Sequence, residues 1–237
     1  MSAEVLAQLA PTGVLRAAIN MSNFLLVTGR GPAGEPDGVS PGMARAIADR
    51  LGVPVRYMPF PRPGELADAV AQWDIGLIGA EPQRAEKIAF TPAYAEIEAT
   101  YLVRGESPIT ALDQVDKPGV RIAVTARAAY DLWLARNIHQ ATLVRAESLD
   151  GAFEIFQRDG LEVLAGLKPR LLADAEALPG SRLLPGNFTT VQQAIGTARA
   201  NAAAAAWLAD FVAEAKASGL VAGLIERHRV RGLSVAR

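Results

Sequence analysis

The feature that most constrains this chain is an alternation: short apolar runs rich in β-branched residues are followed repeatedly by segments whose apolar residues recur at helical spacing. Strands that alternate with helices pair side by side with the helices as crossovers, which gives a mostly parallel sheet flanked by helices. The first series begins with a strand over 14–19 and a Gly- and Pro-rich loop over 29–38. A helix follows, on which Met43, Ile47 and Leu51 repeat, with Ser40 as N-cap, Pro41 at its first position and Gly52 as its stop. A strand over 53–60, a helix over 65–73 and a strand over 74–80 complete it. The second series reads strand 120–125, helix 128–138, strand 141–145, helix 149–158 and strand 161–167, with Ser148 capping the second helix and Gly160 ending it. Extended runs over 100–103 and 191–197 separate the two series. A long helix then carries Trp207, Leu208, Phe211, Val212 and Ala215 on one face. The expected architecture is an α/β fold of two lobes, each a mostly parallel sheet flanked by helices. The first lobe is discontinuous, 1–100 plus 195–237, the second is 101–194, and the two extended crossings form a hinge.

Charge and residue usage narrow the chemistry. With 24 basic and 25 acidic residues the formal net charge is −1, which offers nucleic acid or an anionic membrane no long-range attraction and points to a small-molecule partner. The absence of cysteine excludes disulfides, thiolate zinc sites and cysteine nucleophiles. His139 and His228 lie far apart and in no metal-ligand spacing, so neither a metal nor a cofactor is expected. The run Gly29-Arg30-Gly31-Pro32-Ala33-Gly34 matches G-x-G-x-x-G, but Glu35-Pro36-Asp37-Gly38 follows where a phosphate-binding helix would have to begin. There is no G-x-S-x-G elbow, and Glu96 and Glu98 read as a solvated strand face. No run approaches the roughly 20 apolar residues that span a bilayer. The first residues also lack a basic segment followed by an apolar one, so the expectation is a leader already removed, or a cytoplasmic protein if Met1 is the native start.

The segment 74–94 is the most informative. It reads as a buried strand (Ile75, Leu77, Ile78), a break of small residues, a helical turn carrying Arg84, and a Phe-Thr-Pro-x-Tyr run that resumes the strand. Small residues at the carboxyl end of a parallel strand leave room for a ligand. An arginine just beyond them offers a planar donor fork for a carboxylate. A structural ion pair is the other reading of Arg84.

In order and spacing, the 38–48 helix, the 74–94 block, the 101–115 link and the 192–197 return resemble the amino-acid-type solute-binding proteins of ABC importers, the type II hinge-bending class. The resemblance implies a monomer that clamps a small carboxylate or amino acid between two lobes without catalysis, in the periplasm, for a membrane permease. It assigns the carboxylate clamp to Arg84 and the adjoining wall to Gly79 and Glu81, with glutamate where a hydroxyl residue is usual. Asn20 and Asn23 stand where an acid and a stacking aromatic are common, and Arg62 where another aromatic is. The usual Gly-Thr pair reads Arg127-Ala128, and the amine-binding aspartate reads Leu167, near Pro169. Two other readings remain on the same fold: a cyclohexadienyl-dehydratase-like enzyme with Glu81 as general acid, and a cytoplasmic ligand-sensing domain.

Overall fold

A computed structural model describes residues 2–237. The chain forms two compact units, one of residues up to Glu96 together with Gln192–Arg237, the other Ile97–Val191.

In the first unit the chain passes through α1 (Ala3–Leu9), β1 (Leu15–Asn20), a hairpin of β2 (Gly29–Arg30) and β3 (Pro36–Asp37), α2 (Val39–Leu51), β4 (Val55–Phe60), α3 (Pro63–Asp68), β5 (Ile75–Gly79) and β6 (Ile88–Phe90). It leaves along β7 (Ala95–Arg104). In the second unit come β8 (Arg121–Thr125), α4 (Ala129–Asn137), β9 (Thr142–Ala146), α5 (Leu149–Arg158), β10 (Val163–Leu167), α6 (Lys168–Ala177) and β11 (Ser181–Leu183). The return is along β12 (Thr189–Ala198), into α7 (Ala202–Ala217), α8 (Leu220–Arg227) and β13 (Ser234–Val235).

The sheet of the first unit runs β4, β1, β5, β12. The first three strands are parallel, and β12 is antiparallel to β5. All five residues of β5 are buried, which is why its sequence lacks polar alternation. One core cluster packs Leu66, Trp73, Ile78 and Ile88 around Ala18, and the Trp73 indole N–H donates to the Leu66 carbonyl at 3.0 Å. Beneath it Asp74 joins three strands. Its carboxylate accepts from the Arg16 backbone N–H (2.7 Å) and guanidinium (2.6 Å), and its carbonyl accepts from the Thr197 hydroxyl (2.9 Å).

The sheet of the second unit runs β7, β10, β8, β9. The last three are parallel, and β7 is antiparallel to β10. Phe156 from α5 and Leu171 from α6 pack with Leu102, Leu161 and Leu164 into its core. The Ser148 hydroxyl accepts from the Gly151 N–H at 3.0 Å, so the cap expected from the sequence is made. Ser148→Ala is expected to lower stability by about 1 kcal/mol, read from urea unfolding. No loss would mean that water replaces the cap.

Three local expectations are revised. The N-cap of α2 is Gly38, not Ser40, whose hydroxyl instead donates to the Leu26 carbonyl at 3.3 Å. Gly38 sits at φ 147°, where a Cβ would lie 2.3 Å from that same carbonyl, so only glycine fits. The 29–38 loop is a hairpin closed by Arg30 opposite Pro36. The helix expected over 65–73 is the shorter α3. The long helix carrying Trp207 to Ala215 is α7, and α8 follows it after Gly219, in the left-handed region at φ 79°.

Candidate functional site

Parallel pairing sets the ends of β1, β4 and β5 at one edge of the first unit, since Asn20 stands opposite Phe60 and Ile19 opposite Leu77. Carboxyl ends of parallel strands are where α/β folds bind ligands. Five of the residues singled out in the sequence share this edge with Arg62: Asn20, Asn23, Gly79, Glu81 and Arg84.

Beyond Gly79 the chain turns sharply. The Glu81 carbonyl accepts from the N–H groups of Arg84 (2.9 Å) and Ala85 (3.0 Å), opening a 3-10 turn over Arg84–Glu86. That turn sends the Arg84 side chain back to the strand end, where Nη1 donates to the Gly79 carbonyl at 2.7 Å. Arg84 is 6 % exposed and Glu81 9 %, unusual burial for charged residues at a loop. The following Phe-Thr-Pro run is fixed by Thr91, whose hydroxyl donates to the Pro92 carbonyl (2.7 Å) and accepts from the Ile195 N–H (3.2 Å).

The loop after β1 is built on its two asparagines. Asn20 Oδ1 accepts from the Ser22 hydroxyl at 2.8 Å, and Asn23 Oδ1 accepts from the Leu25 N–H at 3.2 Å, with Asn23 buried. Both shape the turn. Arg62 flanks α3 and pairs with Glu65 one turn on.

In the second unit the ends of β8, β9 and β10 likewise share one edge, bringing Arg127 and Leu167 to it. Arg127 has φ 59°, uncommon for a residue with a side chain. It is held there because its N–H donates to the Asp131 carboxylate at 2.8 Å. Asp131, buried in the first turn of α4, also accepts from Arg145 at 2.9 Å. The sequence reading missed Asp131, although an acid at the third position of a helix is the signature of a side chain reaching back to the turn before it. Leu167 is buried and leads into α6, with Pro169 in the first turn. Beside it Lys168 pairs with Glu98 at 2.6 Å, and Arg170 pairs with Asp174 and Asp150, each at 2.8 Å. Burial pushes the Asp174 carboxyl above the usual range against the pull of Arg170, and pushes the nearby Tyr130 phenol up to about 12. Among the described residues no cluster of three or more His, Asp or Glu side chains is arranged to hold a metal ion.

The sequence model of the bacterial extracellular solute-binding proteins, family 3, matches residues 22–230. No curated protein matches the chain. Among solved structures it is similar to an ancestral amino acid-binding protein that is a precursor of cyclohexadienyl dehydratase: 19% identity, TM-score 0.75, 94% of this chain and 97% of that one. It is similar to the substrate binding protein of an amino acid ABC transporter at 18% identity and TM-score 0.72, covering 90% and 98% of the two chains. A histidine kinase sensor domain with similarity to periplasmic binding proteins gives 16% identity and TM-score 0.76, with 94% and 98% covered. These likenesses establish the type II periplasmic-binding fold.

Proposed function

Because the chain belongs to the bacterial extracellular solute-binding proteins of family 3, we propose that it is the binding component of an ABC-type importer and that it clamps a small carboxylate-bearing solute outside the cytoplasm. The observation that carries this reading is Arg84, buried at the carboxyl end of β5 with its guanidinium oriented by the Gly79 carbonyl. A preset guanidinium binds a carboxylate with little further loss of side-chain freedom. The chain passes between its units twice, along β7 and β12, which suits a hinge. The family is described as extracellular, and among the described residues no helix is long and apolar enough to cross a membrane. The relative nearest the dehydratase reading is itself an amino acid-binding protein, so that similarity favours binding over catalysis.

The solute is proposed to be an anion without a free amine, such as a keto, hydroxy or dicarboxylic acid. At the edge of the second unit Leu167 presents no charge, and Asp131, Asp174 and Glu98 each pair with a cation of their own unit. A buried ammonium without an acid partner costs several kcal/mol. A thermal-shift screen pairing each amino acid with its deaminated analogue tests this: the deaminated acids are expected to stabilise the protein more. Consistent preference for the amino forms, abolished by Glu81→Gln, would return the protein to the amino-acid class with Glu81 as the ammonium partner.

A further inference from the structure

The C-terminal end of the first unit carries a feature that solute binding does not use. From Arg227 to Arg237 the sequence has four arginines, one histidine and no acidic residue, although the chain as a whole is near neutral. Helix α8 ends in a tight reversal: the Arg229 N–H donates to the Glu226 carbonyl (2.9 Å) and the Val230 N–H to the Ile225 carbonyl (3.1 Å). This is the geometry in which glycine is usual at the residue after the helix. Here that residue is Arg229, at φ 51°. The two backbone bonds hold a long charged side chain at a position that disfavours it, a local cost of the kind that gathers at functional surfaces.

Arg229 and Arg231 are exposed, and neither forms an ion pair among the described residues. They help line an open depression of about 540 Å³ together with the apolar Ile225, Val230, Leu233 and Val235, and with Glu226 as its one carboxylate. These apolar side chains are buried or half-buried in a shallow, open depression and do not project from the surface. A bilayer selects protruding apolar side chains, whereas a hollow receives one from a partner.

We propose that this surface docks an acidic segment of a partner protein, with an apolar side chain seated in the hollow and carboxylates on Arg229 and Arg231. The site is remote in sequence from Arg84 and is independent of the solute proposed above.

The test uses the full chain and a fluorescein-labelled synthetic peptide, Glu-Glu-Leu-Phe-Glu-Glu, followed by anisotropy. Saturable binding that weakens with added salt is expected. Arg231→Glu should weaken it at least tenfold without moving the thermal midpoint. Arg56→Glu, the same charge change on exposed β4, should leave it unaltered. A peptide with glycine in place of leucine and phenylalanine should bind at least tenfold more weakly. The proposal is overturned if the parent peptide does not bind, if both arginine variants weaken it equally, or if the glycine peptide binds as well. It is also overturned if the protein sediments with phosphatidylglycerol vesicles at physiological salt while ignoring the peptide, which would identify a membrane surface instead.

Discussion

Arg84→Ala is expected to weaken binding of the most stabilising acid from the thermal-shift screen at least thirtyfold. Removing one partner of a buried, charge-assisted pair costs about 2–5 kcal/mol, and 2 kcal/mol is already about thirtyfold in affinity. Arg84 also supports the strand end through Gly79, so loss of the side chain has a structural component. Arg84→Lys separates the two. Lysine supplies an N–H for the Gly79 carbonyl but not a planar fork, so its stability should stay near that of the parent while its affinity falls between parent and Ala. Isothermal calorimetry on all three proteins reads the result. Equal affinity for the parent and Arg84→Ala would mean that the arginine is only a brace for the turn.

The largest expected effect on stability lies at Asp74. This carboxylate is 3 % exposed and accepts from both the backbone and the guanidinium of Arg16, while its carbonyl receives Thr197. Hydrogen bonding to Asp74 pushes the Arg16 guanidinium above its ordinary value. Asp74→Ala leaves a half-buried cation and a backbone N–H without an acceptor. Unfolding free energy should fall by about 3 kcal/mol or more. Asp74→Asn, which keeps the shape and one acceptor oxygen, should lose less. Urea unfolding followed by circular dichroism measures both, and a loss below about 1 kcal/mol would show that water takes over the carboxylate's role.

What could be read in advance follows from where each element finds its partners. β5 and β10 are buried on both faces, so their sequences are continuous apolar runs, and the small residues and arginine at the end of β5 mark one edge of the first unit in the sequence itself. Ser148 behaved as read because a cap is local: donor and acceptor are three residues apart. Ser40 did not, because a carbonyl fourteen residues away took its hydroxyl and the helix is capped at Gly38 instead. α6 was not anticipated at all. Its residues are mostly charged or small, it has a proline in its first turn, and of its side chains Leu171 enters the core cluster while Arg170 and Asp174 hold one another. Asp131 escaped notice for a related reason, since its partner Arg145 lies on a strand that only folding brings to it. Arg62, a candidate for the ligand on sequence, pairs with Glu65 within its own turn, a local contact that its i,i+3 spacing allows.

The central claim is that a carboxylate binds at the end of β5, and a crystal structure of the chain grown with the most stabilising acid tests it most directly. The account predicts density for the acid with its carboxylate within hydrogen-bond distance of the Arg84 guanidinium and no ammonium required nearby. Density for the acid elsewhere, with Arg84 bonded only to groups of its own chain, would contradict it.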